Sequence, residues 1–427
     1  MLEKLKQIWQ SKFVKNVLTT YLTRFSGVFL GLLTTVLSSR AVGPEGRGWM
    51  ACAFNISYLG CAFGCFGLNV SNLVLGAKLT QQRAQLVGNS LSISFFASLI
   101  LAAILLSIQT ISPELIPLPG VFMAATIIYT FLLLVYTTVQ SLLYSFDMVK
   151  ICNWQEFFSK LLIFAITIGL CWLGIGSPAK FFAAFLIGIG LAAAWRLYSA
   201  YSFAGQWSLF SWKLFCQSAS YNFKAFLFSA FYSAIQMADI LIIQHCSGPE
   251  QSGYYNIVGA IRSLTLAFTL IVNQMLLPRL SAKCKTIRDC LPMVWKANAF
   301  FLIFNVVLAA ILAIFMPWCI NLILGPEFAP SSAMLMWMLP GIIFFNGYTI
   351  LTTVFNLAGQ PYSATLWLAA CTALDLFLCY YWNSRGGLGA AQAFSCASFM
   401  LFSGAWLHTL LHKYTNSGLQ ELDTLNK

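Results

Sequence analysis

Long apolar runs, each bounded by charge, proline or glycine, follow one another along almost the whole chain, near 16–38, 49–75, 88–110, 120–145, 154–175, 179–200, 222–244, 253–277, 296–316, 332–357, 362–382 and 388–411. Each is long enough to cross a hydrocarbon core, which takes about 20 helical residues. Strand-like alternation is scarce, which argues against a barrel. Trp9, Trp49, Trp154, Trp172, Trp295, Trp318 and Trp382 fall near the ends of the runs, where an interfacial belt belongs. The pattern predicts an all-α integral membrane protein of about twelve transmembrane helices.

Composition agrees. Of 427 residues 59% are hydrophobic and only 8% charged, with mean hydropathy +0.79. A soluble surface normally needs about 25% charged residues, so lipid is the solvent for most of this one. The formal charge of +12 is spread through short loops rather than gathered on one face, which speaks for membrane topology and against nucleic acid. With the N-terminus inside, seventeen Lys and Arg fall in inner segments, Arg196 among them. Only Arg40, Arg47, Lys180 and Arg385 fall outside. That imbalance places both termini in the cytoplasm and makes the number of spans even. The basic start leads into an apolar run too long for a cleavable signal. Thirteen cysteines, mostly inside apolar runs, read as small reduced packing residues, and no metal site is expected.

The chain also repeats. Gly43-Pro-Glu-Gly-Arg-Gly48 follows the first run, and Gly248-Pro-Glu-Gln-Ser-Gly253 follows the seventh. Ser112-Pro-Glu114 and Gly325-Pro-Glu327 form a weaker second echo, each leading to a Pro-Gly. Six spans per half is an even number, so the halves face the same way, as parallel repeats about a pseudo-twofold axis along the membrane normal. The expected organisation is an N-terminal six-helix lobe over 1–201, a cytoplasmic connection over 202–220, a C-terminal six-helix lobe over 221–412 and a cytoplasmic tail over 413–427.

The segment Ser39-Arg40-Ala-Val-Gly-Pro-Glu-Gly-Arg-Gly48 resembles the close of the first helix in bacterial O-antigen-type polysaccharide flippases. Leu324-Gly-Pro-Glu-Phe-Ala-Pro-Ser-Ser-Ala-Met-Leu335, with Leu339-Pro-Gly341, is similar to their signature before the tenth helix. These Wzx-type proteins belong to the multidrug/oligosaccharidyl-lipid/polysaccharide exporter superfamily. The resemblance implies two lobes forming a V around a cavity that opens alternately to either side of a bacterial inner membrane. It implies a polyprenyl-pyrophosphate-linked oligosaccharide as substrate, and glycan polymerase machinery as a partner. The rival within transport is a cation-coupled multidrug exporter of the same fold. An enzyme such as a membrane glycan polymerase or ligase would need a large loop with clustered carboxylates or His. The three His are scattered and no nucleotide-binding motif appears, so neither catalysis nor a cofactor is expected.

Ionisable residues inside spans are costly and need a reason. Arg24, deep in the first run, either faces the cavity and holds pyrophosphate or snorkels to the inner headgroups. Asp239 and Arg262 sit at comparable depth on either side of the Gly248 turn, so they form a buried pair or act separately, Asp239 binding a coupling proton or sodium and Arg262 lining the substrate path. Asp375, with no sequence-local partner, is the second ion-coupling candidate. Asn55 and Asn273 either line a wet cavity or bond helices together, as the other in-span amides do. Glu156 and Lys160, four apart, read as an intrahelical pair. Glu45 and Glu250 follow prolines at helix starts, where a negative charge is favoured.

Overall fold

Apolar helices dominate because a chain in lipid has to satisfy its backbone hydrogen bonds within itself. The computed structural model describes residues 12–116, 118–205, 208, 210–283, 287–357 and 361–411. Twelve α-helices run through them: α1 Lys12–Gly64, α2 Leu68–Lys78, α3 Arg83–Ile111, α4 Gly120–Ser145, α5 Val149–Trp172, α6 Pro178–Ala204, α7 Trp212–Met237, α8 Asp239–Lys283, α9 Ile287–Ile323, α10 Pro330–Leu357, α11 Tyr362–Tyr381 and α12 Gly387–Leu411. Lys4, Lys6, Lys285, Lys413, Lys427 and the 413–427 tail lie outside the described residues.

Ten helical stretches are long and apolar enough to cross a membrane. Two of them, Ser26–Gly64 and Asn222–Leu270, span 39 and 49 residues, about twice what one pass needs. Both bend back at the glycine of a Gly-Pro-Glu motif: Gly43 has φ 69° and ψ −179°, and Gly248 has φ 86° and ψ 175°. Only glycine enters that region without strain, and the following proline is preset for the next helix. Each double-length stretch therefore holds two passes, which makes the crossing segments twelve.

Contacts divide the chain into two units. The first comprises Met1–Val42, Ile56–Pro113 and Leu118–Phe226; the second comprises Gly43–Asn55, Glu114–Pro117 and Leu227–Lys427. The division at Phe226 lies inside α7, beyond the expected 202–220 connection. Two short segments of the N-terminal half, one of them carrying the first Gly-Pro-Glu motif, are held by the second unit.

In the first unit α4 packs against α2, α3 and α6. Its buried Val135, Val139, Leu142 and Leu143 meet Leu86, Val87, Ala193 and Ala200. Small polar groups tie the seams: Asn72 donates to Ser90 Oγ at 2.7 Å, and Ser94 and Thr138 hydroxyls lie 3.3 Å apart. Arg196, read from sequence as an inner-segment residue, is instead wholly buried in α6. Its Nη1 donates to the Tyr136 carbonyl at 3.0 Å, and its guanidinium lies 3.4 Å from the Tyr136 ring centroid.

In the second unit α10 is the spine, packed by α8, α9 and α12. Of its apolar window 72% is buried, against 17% for α9, whose Phe300, Ile303 and Ile314 face outward as a lipid-exposed surface requires. Pro340 interrupts the hydrogen-bond ladder of α10, and a hydroxyl from α12 repairs it. Ser395 donates to the Trp337 carbonyl at 2.6 Å and accepts the Gly341 N–H at 3.0 Å. Asn298 and Asn346 tie α9 to α10, donating to the Gly347 carbonyl at 2.7 Å and Asn305 Oδ1 at 2.8 Å.

Candidate functional site

A helix broken inside an apolar layer leaves carbonyls and N–H groups that lipid cannot satisfy. The seventh pass breaks this way at Ala238, between Met237 at the end of α7 and Asp239 at the start of α8. Side chains of the second unit meet the deficit. The Asp239 carboxylate accepts the N–H of the next residue, Ile240, at 2.8 Å, and also accepts the Tyr255 hydroxyl. Arg262 donates through Nη2 to the Gln236 carbonyl on the other side of the break. Its Nη1 lies 3.7 Å from Asp239 Oδ2, and its guanidinium stacks 4.6 Å from the Phe394 ring centroid. One arginine thus caps one half of the broken helix and neutralises the first residue of the other.

Asp375 arrives from α11. It is fully buried and within electrostatic range of both Asp239 and Arg262, yet neither of its oxygens has a hydrogen-bond partner among the described residues. The cluster holds two carboxylates and one guanidinium, all three buried. With both acids ionised it is one positive charge short, and unpaired buried charge is what proteins avoid most strongly. One proton or one monovalent cation would balance it.

The structure therefore brings three sequence candidates, Asp239, Arg262 and Asp375, into one cluster. The pairing of the first two follows from their shared depth beside Gly248. Tyr255, Gln236 and Phe394 were not singled out from sequence, since an uncharged residue in a span carries no alarm of its own. Asn273 bridges α8 and α10: it donates to the Thr349 carbonyl at 2.6 Å and accepts the Thr353 hydroxyl. Asn55 donates to the Ala51 carbonyl of its own helix at 2.8 Å. Arg24 lies in α1, and its side chain is outside the described residues. Lys160 and Glu156 form the expected intrahelical pair at 2.9 Å. Among the described residues no three His, Cys, Asp or Glu gather as a metal set would.

The repeated motif makes a second feature of the same unit. Gly48 lies against the Pro249 carbonyl and Gly253 against the Pro44 carbonyl, so that a Cβ on either glycine would overlap the other motif's backbone. The last glycine of each Gly-Pro-Glu-X-X-Gly copy is the seat for the other copy's proline carbonyl. Arg47 Nε donates to Asn256 Oδ1 at 2.8 Å beside this crossing. The third motif joins through Ser331, whose hydroxyl donates to the Tyr254 carbonyl at 3.0 Å, and through the edge-on contact of Phe328 with Tyr254.

Residues 13–283 match the family model described as polysaccharide biosynthesis protein. No curated protein sequence matches the chain. Among solved structures, the lipid II flippase MurJ in an inward closed conformation superposes with a TM-score of 0.71 at 14% identity, covering 96% of this chain and 90% of that one. An inward-facing multidrug resistance MATE family transporter of the MOP superfamily gives 0.70 at 12% identity, covering 93% and 95%. A MOP superfamily transporter from Pyrococcus furiosus gives 0.64 at 13%, covering 99% and 98%. Identities this low speak for the fold alone, while the family match spans more than half of the residues. With twelve crossing segments, a repeated turn and that match in agreement, this chain belongs to the polysaccharide biosynthesis protein family and has the fold of the MOP superfamily transporters.

Proposed function

We propose that the protein flips a polyprenyl-pyrophosphate-linked oligosaccharide from the cytoplasmic to the outer leaflet by alternating access, supplying surface polysaccharide synthesis. The observation that carries this reading is the match of 13–283 to the polysaccharide biosynthesis family. The likeness to a lipid II flippase supports it at the level of fold. A pyrophosphate cannot cross bare hydrocarbon, so the protein's task is to replace its hydration with cationic and polar groups while the lipid tail stays in the bilayer. In this reading Arg24 and Arg262 receive the pyrophosphate, Asn55 and Asn273 meet sugar hydroxyls, and both termini lie in the cytoplasm of a bacterium.

The buried cluster supplies the coupling. Arg262 is engaged with Asp239 and the Gln236 carbonyl, so it reaches a pyrophosphate only by leaving them. Two protons or sodium ions taken up by Asp239 and Asp375 balance both carboxylates in place of the guanidinium and free it. Ion uptake and substrate binding then favour the same state, which is the differential affinity coupled transport needs.

The test is a leaflet assay in vesicles with labelled polyprenyl-pyrophosphate oligosaccharide, with a lipophilic cationic drug measured in parallel. Wild type is expected to speed movement of the glycolipid across the bilayer and to leave the drug untouched. Arg24→Ala is expected to lose most of that activity. Drug flux without glycolipid flux would instead identify a multidrug exporter. Glycolipid flux unchanged in Arg24→Ala would remove that residue from the site.

A further inference from the structure

The helix α5 sorts its residues by face. Trp154, Phe158, Leu161, Ile168 and Trp172, spaced by three, four or seven, are apolar and exposed, as a lipid-facing stripe is. At about 100° per residue, Glu156, Lys160, Ile163 and Thr167 form a second stripe on the opposite side. Ile163 and Thr167 are buried there, Ile163 against Gly188 of α6. Glu156 and Lys160 are not, since their side chains keep 25% and 32% of their surface accessible. Charged groups that stay open on the face turned away from lipid mark a wet opening within the first unit.

The helix α1 forms the other wall. The Lys160 stem lies against Gly27, where a Cβ would stand 3.1 Å from its Cδ. Gly31, one turn on along the same face of α1, meets nothing within 4 Å. Arg24 stands one turn before Gly27, about 4.5 Å away along the helix axis. Lys160 itself lies about 16 Å along α5 from Val149, near the middle of its 24 residues. Its Nζ is held by Glu156 Oε1 at 2.9 Å. As a purely structural device that pair returns little. An i,i+4 ion pair contributes a small fraction of what placing either charge in an apolar span costs, and apolar residues would hold the seam as well.

We infer that Lys160 is a binding residue for the pyrophosphate of the lipid-linked substrate, and that Glu156 occupies it until that anion arrives. The inference rests on the flippase reading and adds to it a cation on α5, across the seam from the helix that carries Arg24. Any anion has to displace the glutamate, so every anion binds more weakly for its presence. A pyrophosphate brings at least two negative charges against the single charge of a carboxylate and keeps useful affinity. The singly charged phosphodiesters of bulk phospholipid do not, and Glu156 thereby keeps abundant lipids off the lysine.

The experiment measures binding to the full chain in detergent by calorimetry, with farnesyl pyrophosphate, oleoyl lysophosphatidylglycerol and inorganic pyrophosphate as probes. Wild type is expected to bind farnesyl pyrophosphate at least tenfold more tightly than either of the others. Lys160→Gln is expected to weaken it about tenfold, the worth of one charged hydrogen bond. Glu156→Gln frees the lysine and is expected to strengthen both lipid probes about threefold. With Lys160→Gln already present, Glu156→Gln is expected to add nothing, because it acts through the lysine. A full gain in that double variant would mean plain repulsion and overturn the place-holder role. Binding lost in both single variants would make the pair structural and overturn the proposal. A gain in Glu156→Gln cannot come from misfolding, so the test holds even if Lys160→Gln folds poorly. Inorganic pyrophosphate bound as tightly as farnesyl pyrophosphate would assign the site to a free anion and overturn the lipid occupant. Wild-type binding undiminished in Lys160→Gln would overturn this inference alone, whereas a wild type that binds no farnesyl pyrophosphate would overturn the flippase reading with it.

Discussion

Arg262 has three roles at once: it closes the Gln236 carbonyl at a helix break, faces Asp239, and lies over Phe394. Removing it leaves two buried acids without a counter-charge. Arg262→Ala is therefore expected to destabilise the protein by about 3–5 kcal/mol, the usual cost of stripping one partner from a buried pair. Thermal unfolding in detergent measures this, and an unchanged melting temperature would mean that the pair does not hold the break together. Asp375→Asn makes the opposite case. It deletes a charge that has no hydrogen-bond partner, so the melting temperature is expected to hold or rise while any ion dependence of transport disappears. A fall in stability similar to that of Arg262→Ala would show that Asp375 is itself part of the ion pair. At this scale the sequence was most informative where it was most costly: charges in apolar runs are rare enough to flag Asp239, Arg262 and Asp375 directly. It was silent on Tyr255 and Gln236, since neither an in-span tyrosine nor a backbone carbonyl stands out in a chain with 15% aromatic residues. The burial of Arg196 was not legible, because the Tyr136 ring and carbonyl that receive it come from another helix.

Helices in this molecule break where a partner is ready to repair them. In α10, Pro340 removes a backbone donor and Ser395 of α12 bridges the Trp337 carbonyl and the Gly341 N–H. Ser395→Ala is expected to cost about 1–3 kcal/mol, since both backbone groups are then left unmet. Unfolding midpoints compared with wild type test this, and no change would mean that another group closes the gap. The Gly-Pro-Glu turns add a second device. Their repeat was legible as two copies 205 residues apart, and the turn chemistry followed from glycine and proline. Their reciprocal docking was not legible, because the fit of Gly48 on the Pro249 carbonyl and of Gly253 on the Pro44 carbonyl exists only once the second unit is assembled. Gly48→Val and Gly253→Val are each expected to force the backbones apart. The accompanying loss is about 1–3 kcal/mol, as for other overpacked contacts. Because the two glycines serve one crossing, the double variant is expected to cost less than the sum of the singles, and strict additivity would contradict the interlock.

For the whole molecule, the twelve-run count and the superfamily fold were legible because lipid imposes a length and a polarity on every pass. What the sequence left open was which passes are interrupted. Breaks at Cys65–Gly67 and Ala238 sit inside otherwise continuous apolar runs, and only the second carries a charged flag beside it. Even so, that flag marks the cluster to which we assign the coupling. Two acids and one arginine, short of one positive charge, lie beside a break that Arg262 itself holds closed. The account turns on this cluster driving glycolipid across the bilayer. The most direct measurement is the rate at which labelled polyprenyl-pyrophosphate oligosaccharide changes leaflet in vesicles under an imposed proton or sodium gradient, with wild type beside Asp375→Asn. Wild type is predicted to move the glycolipid faster under one of the gradients, and the variant to show no such acceleration. Equal rates with and without the protein would contradict the function, and equal acceleration in both proteins would contradict the role of the cluster.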